Sequence, residues 1–184
     1  MLQSSDDTYF EDMIWLFSSN KMSRGIVRLN IAEGALLFKY CKKVRDGQLL
    51  EIGRKYGGST ALMASALKNG HLYSIDCVLY SSVCDYIASY KDKITLITAN
   101  TISKKMQWER NVDLIFFDGG HTRPVIGNDI KKFTPYVAPN GYAIFHDMLG
   151  KKVSNWSLIS RMLKKEWIRI DDVDSMLILQ KKIE

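Results

Sequence analysis

Residues 49–60 read Leu-Leu-Glu-Ile-Gly-Arg-Lys-Tyr-Gly-Gly-Ser-Thr, an apolar run that ends in a glycine-rich turn and opens into a helix start. Glycines in such a turn let the backbone bend sharply and approach a ligand, while the unpaired N–H groups of the helix start face it. Three ligand chemistries compete for the loop. A dinucleotide fingerprint asks for glycine at the first, third and sixth places; the third here is Lys55, whose side chain would fill the space of a pyrophosphate. A phosphate loop asks for lysine where this chain has Ser59, so the charge that holds a β- or γ-phosphate is missing. S-adenosylmethionine carries no phosphate and offers a carboxylate and a ribose diol. Glu51, two residues before Gly53, would repel phosphate but accept a hydrogen bond from an ammonium or a ribose hydroxyl. An αβ turn that binds nothing is the plain alternative. A second acid, Asp76, closes the run 71–76, where the ribose of a bound nucleoside falls at the tip of a second strand.

These residues need a sheet to hold them. From Gln48 onward short apolar runs at 49–52, 72–75, 94–97, 112–117 and 142–145 alternate with amphipathic stretches near 59–68, 81–90, 102–108 and 125–137. That alternation predicts right-handed crossovers and a parallel sheet covered on both faces. A helix near 157–164 follows, then runs at 167–170 and 176–179 joined by an acidic turn at 171–175, short enough for an antiparallel hairpin. Before residue 47 the chain reads as helices: Phe10, Ile14 and Trp15 after Asp6-Asp7, then Ile31, Leu36, Leu37 and Tyr40 after Asn30. The expected organisation is one domain over 1–184, with a helical cap at 1–46 and an α/β core at 47–184.

Composition narrows the function classes. Lys plus Arg number 26 against 20 acids, a net +6, but the excess is scattered in pairs such as Lys104-Lys105, Lys131-Lys132 and Lys164-Lys165, which read as solvated helix faces. The three cysteines, Cys41, Cys77 and Cys84, form no CxxC pair, which fits reduced thiols in the cytoplasm. No apolar run reaches the roughly 18 residues of a membrane span, and the first residues are acidic where a signal peptide is basic.

Taken together, 51–60 (Glu-Ile-Gly-x-x-x-Gly-Gly-Ser-Thr) resembles the first motif of class I S-adenosylmethionine-dependent methyltransferases, and Asp76 resembles their ribose-binding acid. Residues 112–121 (Val-Asp-Leu-Ile-Phe-Phe-Asp-Gly-Gly-His) and 139–147 (Pro-Asn-Gly-Tyr-Ala-Ile-Phe-His-Asp) resemble the fourth and fifth strands of a small-molecule O-methyltransferase branch acting on sugars or, more distantly, catechols. The resemblance implies a Rossmann-like, doubly wound seven-stranded sheet of order 3-2-1-4-5-7-6, last strand antiparallel, with helices on both faces. It implies cofactor contacts at Glu51, Gly53, Gly57, Gly58, Ser59, Asp76, Asn100 and Asp118.

It also implies the chemistry. A neutral hydroxyl is a poor nucleophile and needs a general base, a Lewis acid, or both. Asp118 and Asp147 end neighbouring strands, where they would hold a magnesium-type cation. The pattern departs at Gly120, where many relatives have an acid, and at Met148, where catechol-type enzymes have an asparagine ligand. His121 stands where those enzymes place a catalytic lysine and is the expected base, so the catalytic set is His121, Asp118 and Asp147. His146 reads as a buried structural histidine whose ring, on a continuing strand, would point away from Asp147. Arg54 and Arg123 would steer an anionic acceptor, Tyr56 would cover the cofactor, and the four tryptophans read as packing. The expected partner is a small-molecule acceptor, with a homo-oligomer completing its site. A nucleic-acid methyltransferase is the alternative suggested by charge; its Asn/Asp-Pro-Pro-aromatic motif is replaced by 118–121. A cofactor-binding module without activity is the other.

Overall fold

The computed structural model describes residues 8–17, 26–80, 83–149 and 156–183. Gln48–Ile52 (β1), His71–Asp76 (β2), Ile94–Thr98 (β3), Val112–Phe117 (β4) and Val137–Phe145 (β5) form the parallel part of one sheet. Trp167–Val173 (β6) and Met176–Lys181 (β7) complete it in the order β3-β2-β1-β4-β5-β7-β6, with β7 antiparallel to both neighbours. This is the doubly wound sheet that the motifs imply.

Strand side chains alternate between faces, and here both faces are covered, so β4 reads as a continuous apolar run from Leu114 to Phe117 after the half-buried Asp113. Leu114 and Phe116 pack with Leu37 of Ile31–Lys43 (α1), Leu62 of Gly58–Ser65 (α2) and Val83 of Val83–Ile87 (α3). Ile115 and Phe117 pack on the opposite face with Ile126 and Phe133 of Arg123–Phe133 (α4) and Ile159 of Trp156–Leu163 (α5). Each such leucine or phenylalanine, taken fully out of water, stabilises the fold by about 1.5–3 kcal/mol. The start of α1 is fixed by a capping box, in which Asn30 accepts from the Glu33 N–H and Glu33 accepts from the Asn30 N–H.

Several elements differ from expectation. Phe10–Phe17 is a 3-10 helix rather than an α-helix, and it buries Met13 and Leu16, three apart, while Ile14 and Trp15 face solvent. Asp6 and Asp7 lie outside the described residues. The stretch 102–108 forms turns, not a helix. There the Asn100 side chain accepts from the Ile102 N–H and Ser103 from the Lys105 N–H, local bonds that compete with helical ones. β5 starts five residues early because a register shift between Val112 and Leu114 absorbs the Pro-Asn-Gly segment, with Asn140 at φ +62°. The terminal hairpin turns on Asp174 and Ser175 alone, Asp174 at φ +49°, so most of the acidic run belongs to β6. Trp108 and Trp167 are buried as packing residues, whereas Trp15 and Trp156 are exposed.

Candidate active site

In an open sheet of this kind the crevice lies beyond the strand ends where the order reverses, here between β1 and β4. The ladder of backbone bonds continues one residue past the strands: the Gly53 N–H donates to Ile75 at 2.9 Å, Asp118 to Ile52 at 2.8 Å and His146 to Phe117 at 3.0 Å. These bonds bring the glycine loop, Asp118 and His146 to one edge. They border a cleft of about 740 Å3 whose wall includes Gly53, Gly58, Ser59, Asp76 and Asn100 toward the glycine loop and Asp118, His121, His146 and Asp147 beyond the ends of β4 and β5. Small-molecule sites span about 300–1,000 Å3.

The glycines of the loop serve chain-on-chain contact. A Cβ on Gly53, at φ +97°, would run into the backbone of Asp118, and one on Gly58 would meet the backbone of Ile26 and Val27. Gly57 caps α2 in the left-handed region, off the cleft wall. Lys55 also turns left-handed, at φ +48°, and its N–H donates to Asp76 Oδ2 at 2.7 Å while the Val78 N–H donates to Oδ1 at 3.0 Å. The acid at the tip of β2 therefore fastens the loop and still presents lone pairs to the cleft.

Glu51 sits beneath this loop, fully buried and off the cleft wall, rather than in a position to touch a ligand. Three hydroxyls donate to its carboxylate: Ser59 at 2.5 Å, Thr60 at 2.6 Å and Ser74 at 2.5 Å. Burial pushes its pKa above the ordinary glutamate range, and the three hydrogen bonds offset only part of that rise. Arg54 is buried as well, not poised to steer an acceptor. Its guanidinium donates to the carbonyls of Ser74 and Val78, which ties the loop to β2. Arg123 lies off the wall and donates to Ser157, bridging α4 and α5. Tyr56 does face the cleft, its ring 4.9 Å from that of Tyr80.

At the far end five side chains converge. His146 Nδ1 lies 2.7 Å from Asp118 Oδ1 and 3.7 Å from Asp147 Oδ2, and its Nε2 lies 3.4 Å from Glu33 Oε2. His121 Nε2 is 3.5 Å from Asp147 Oδ2 and 3.9 Å from Asp118 Oδ1. His146 is buried and hydrogen-bonded, but its ring and Asp147 share one side. The strand stops at Phe145, and Asp147, at φ +54°, breaks the alternation and turns its carboxylate back toward the ring. Burial opposes the charge on His146, yet the bond to Asp118 and the carboxylates of Asp118, Asp147 and Glu33 outweigh it and push the pKa up to about 9. Magnesium takes oxygen ligands at about 2.0–2.1 Å and retains several waters. Two imidazoles lie among these carboxylates, one against Asp118, and that mixed donor set does not fit magnesium.

Sequence reasoning passed over three of the residues that shape the cleft. Glu33 falls within the stretch that reads as a helix after Asn30, with no role of its own. Arg28 and the buried Asp129 line the wall from elements without a motif.

Residues 50–148 match the family model of a methyltransferase domain. The chain belongs to that methyltransferase family. The matched span runs from β1 through the turn after β5, so it takes in the glycine loop, Asp76, Asp118, His121, His146 and Asp147, while Arg28 and Glu33 precede it. No curated protein matches the sequence. Among solved structures, the methyltransferase fold is shared with the O-methyltransferase TomG of Streptomyces achromogenes, involved in tomaymycin synthesis and solved with S-adenosylmethionine: 15% identity, TM-score 0.68, over 98% of this chain and 92% of that one. An O-methyltransferase of Bacillus cereus in complex with S-adenosylhomocysteine is 15% identical with TM-score 0.65, over 84% of this chain and 82% of its own. An rRNA methylase of Streptococcus thermophilus is 10% identical with TM-score 0.63, over 85% and 99%. At such identities the likeness is one of fold. No helix among the described residues is long and apolar enough to cross a membrane.

Proposed function

We propose that this methyltransferase moves a methyl group from S-adenosylmethionine to the hydroxyl of a small molecule. The observation that carries the reading is one cleft with a nucleoside-type wall at one end and an acid–histidine cluster at the other. The cofactor fits that wall. Asp76 has lone pairs for the ribose hydroxyls, and among the described residues the buried Oδ1 of Asp129 has no hydrogen-bond partner, an acceptor suited to an adenine amine on the side of Asn100 and Thr101. Ser59 and the backbone at Gly53, Gly57 and Gly58 shape the amino-acid end, with Glu51 holding Ser59 in place.

When bound, S-adenosylmethionine supplies an electrophilic methyl on a sulfonium. The chain's own task is alignment and proton removal. His121, half-exposed at the cleft mouth, would accept the acceptor's hydroxyl proton on Nε2, the proton that must leave when the sulfonium methyl passes to oxygen and the thioether is released. Asp147 and Asp118, 3.5 and 3.9 Å from that nitrogen, stabilise the imidazolium that results. The acceptor enters beside Phe10–Phe17 and α1, which cap the core that begins at β1, and a second copy of the chain completes its pocket. We place the protein in the cytoplasm, in keeping with the free thiols of Cys41 and Cys77.

Calorimetric titration with S-adenosylhomocysteine tests the cleft, and methyl transfer to a panel of hydroxylated small molecules tests the chemistry. Saturable binding with turnover that drops at least about 100-fold in His121→Ala is the expected result. Calorimetric silence removes the reading, and binding without turnover on any acceptor leaves a cofactor-binding module.

A further inference from the structure

The basic side chains of the cleft wall gather at one place. Arg54 is engaged by the carbonyls of Ser74 and Val78, which leaves Arg28 and Lys55. Both stand over the same ring: the Arg28 guanidinium carbon lies 5.4 Å and Lys55 Nζ 5.6 Å from the centre of Tyr56. A cation within about 6 Å of a tyrosine face is held there by the ring's quadrupole. Tyr80, its ring 4.9 Å from that of Tyr56, extends the aromatic surface along the wall. Both cations are exposed, and among the described residues no carboxylate pairs with either side chain.

The backbone singles out the same place. Lys55 is left-handed at φ +48°, a conformation that glycine adopts freely and lysine does not. A charged side chain kept at a strained position of a binding loop points to a use for that charge. Arg28 comes from the segment before α1, which is laid against the start of α2, where a Cβ on Gly58 would meet the backbone of Ile26 and Val27. That contact fixes where the guanidinium emerges. Gly58 and Ser59 are buried, whereas Arg28, Lys55 and Tyr80 are exposed, so the charges stand at the rim, outside the seat that the loop forms for the cofactor's amino-acid end. Arg28 also precedes the span shared with the family, as suits a group that reads the acceptor rather than the cofactor.

We propose that the acceptor is a small molecule with one anionic group, a carboxylate or a phosphate, which Arg28 binds with Lys55 beside it at the Tyr56–Tyr80 pair. This rests on the methyl-transfer reading and narrows it to one class of acceptor. The planar guanidinium presents two parallel N–H donors that match a carboxylate or phosphate, and the ammonium adds a point charge. One anionic group is what the wall can take, because Asp76, Asp118, Asp129 and Asp147 stand along the rest of it. The steering expected of Arg54 and Arg123 thus falls to Arg28 and Lys55.

Matched acceptors test the proposal. Dihydroxybenzoate, glucuronate and glucose phosphate, each beside its neutral counterpart (dihydroxybenzamide, glucuronamide and glucose), are titrated into protein saturated with S-adenosylhomocysteine. At least one anionic member should bind at least about tenfold tighter than its counterpart, and the preference should shrink as salt is raised. Arg28→Gln should cut that preference about tenfold, and Arg28→Lys and Lys55→Gly by smaller factors, while S-adenosylhomocysteine binds each variant as it binds the wild type. Both side chains are exposed and glycine suits the left-handed backbone at 55, so the variants report on folded protein. Anionic members that bind no better than their counterparts, or not at all, overturn the proposal, as does a preference unchanged in Arg28→Gln. A loss of S-adenosylhomocysteine affinity in Arg28→Gln also overturns it, by giving the guanidinium to the cofactor's own carboxylate. Calorimetric silence toward S-adenosylhomocysteine removes the methyl-donor cleft itself, whereas cofactor binding without anion preference leaves that cleft standing and retires only the acceptor class.

Discussion

Glu51 concentrates much of the energetic risk in this molecule at one carboxylate. It is sealed under the glycine loop, and its only compensation among the described residues is the three hydroxyls of Ser59, Thr60 and Ser74. Burial holds its folded pKa above the ordinary value of 4.5. The stabilisation contributed by its protonated form is complete below that value and is lost as pH rises through the higher folded pKa. Glu51→Gln should remove this part of the pH dependence, so urea-unfolding curves of the variant change less from acid to neutral pH than those of the wild type. Ser74→Ala leaves the buried carboxylate one donor short and should cost about 1–3 kcal/mol, with the largest loss at neutral pH. Equal pH profiles for wild type and Glu51→Gln would show that the carboxylate is not the titrating group. Asp76, Asp118 and His121 were legible in the sequence because strand ends fix their location and type fixes their chemistry. The burial of Glu51 was not, since the Ser59 and Thr60 hydroxyls at the start of α2 and the Ser74 hydroxyl on β2 meet only after the sheet has formed.

Among the elements, alternation of apolar runs made five of the seven strands readable to within two residues at each end, because strands buried on both faces carry a continuous apolar signal, while β5 and β6 run further than their apolar cores. Residues 102–108 misled for the opposite reason: apolar spacing there comes from Trp108, buried and donating its indole N–H to the Arg110 carbonyl, and from Ile102, which is exposed. What shapes that loop is helix α4. Lys132 Nζ donates to the carbonyls of Thr101 and Ser103, and Asn128 donates to Thr101 at 3.1 Å. These tethers hold the segment that places Asn100 and Thr101 on the cleft wall. The double substitution Asn128→Ala/Lys132→Ala should therefore weaken S-adenosylhomocysteine about tenfold, roughly 1.4 kcal/mol of binding free energy, while the melting temperature moves little because both side chains are only half-buried and lie outside the apolar core. A large loss of melting temperature with unchanged affinity would assign the tethers to folding instead.

The whole molecule carries +6, yet the excess is not gathered in its cleft, where Arg28, Arg54 and Lys55 stand beside the acids. Asp76, Asp118, Asp129 and Asp147 lie on the cleft wall. The basic pairs stand elsewhere, Lys131 on α4 and Lys164-Lys165 beyond α5, and several cations are already matched: Lys39 with Asp171 at 2.9 Å, Arg169 with Asp172 at 2.7 Å and Lys181 with Glu166 at 3.8 Å. An enzyme that works on RNA must bring polyanionic backbone to the rim of its cleft, and each phosphate neutralised there steepens the loss of affinity with salt. Four carboxylates against three cations on that wall leave no positive excess to draw such a backbone in, although an rRNA methylase shares the fold. Gel-shift titrations with structured RNA should give only weak complexes that vanish between low and physiological salt, with no methyl incorporated. S-adenosylhomocysteine binding, carried by hydrogen bonds and apolar contact inside the cleft, should stay within about twofold over the same range, since short buried contacts are screened little. An RNA complex that survives physiological salt and takes up label would place the acceptor among nucleic acids and would require that the basic pairs, rather than the cleft rim, form the docking face.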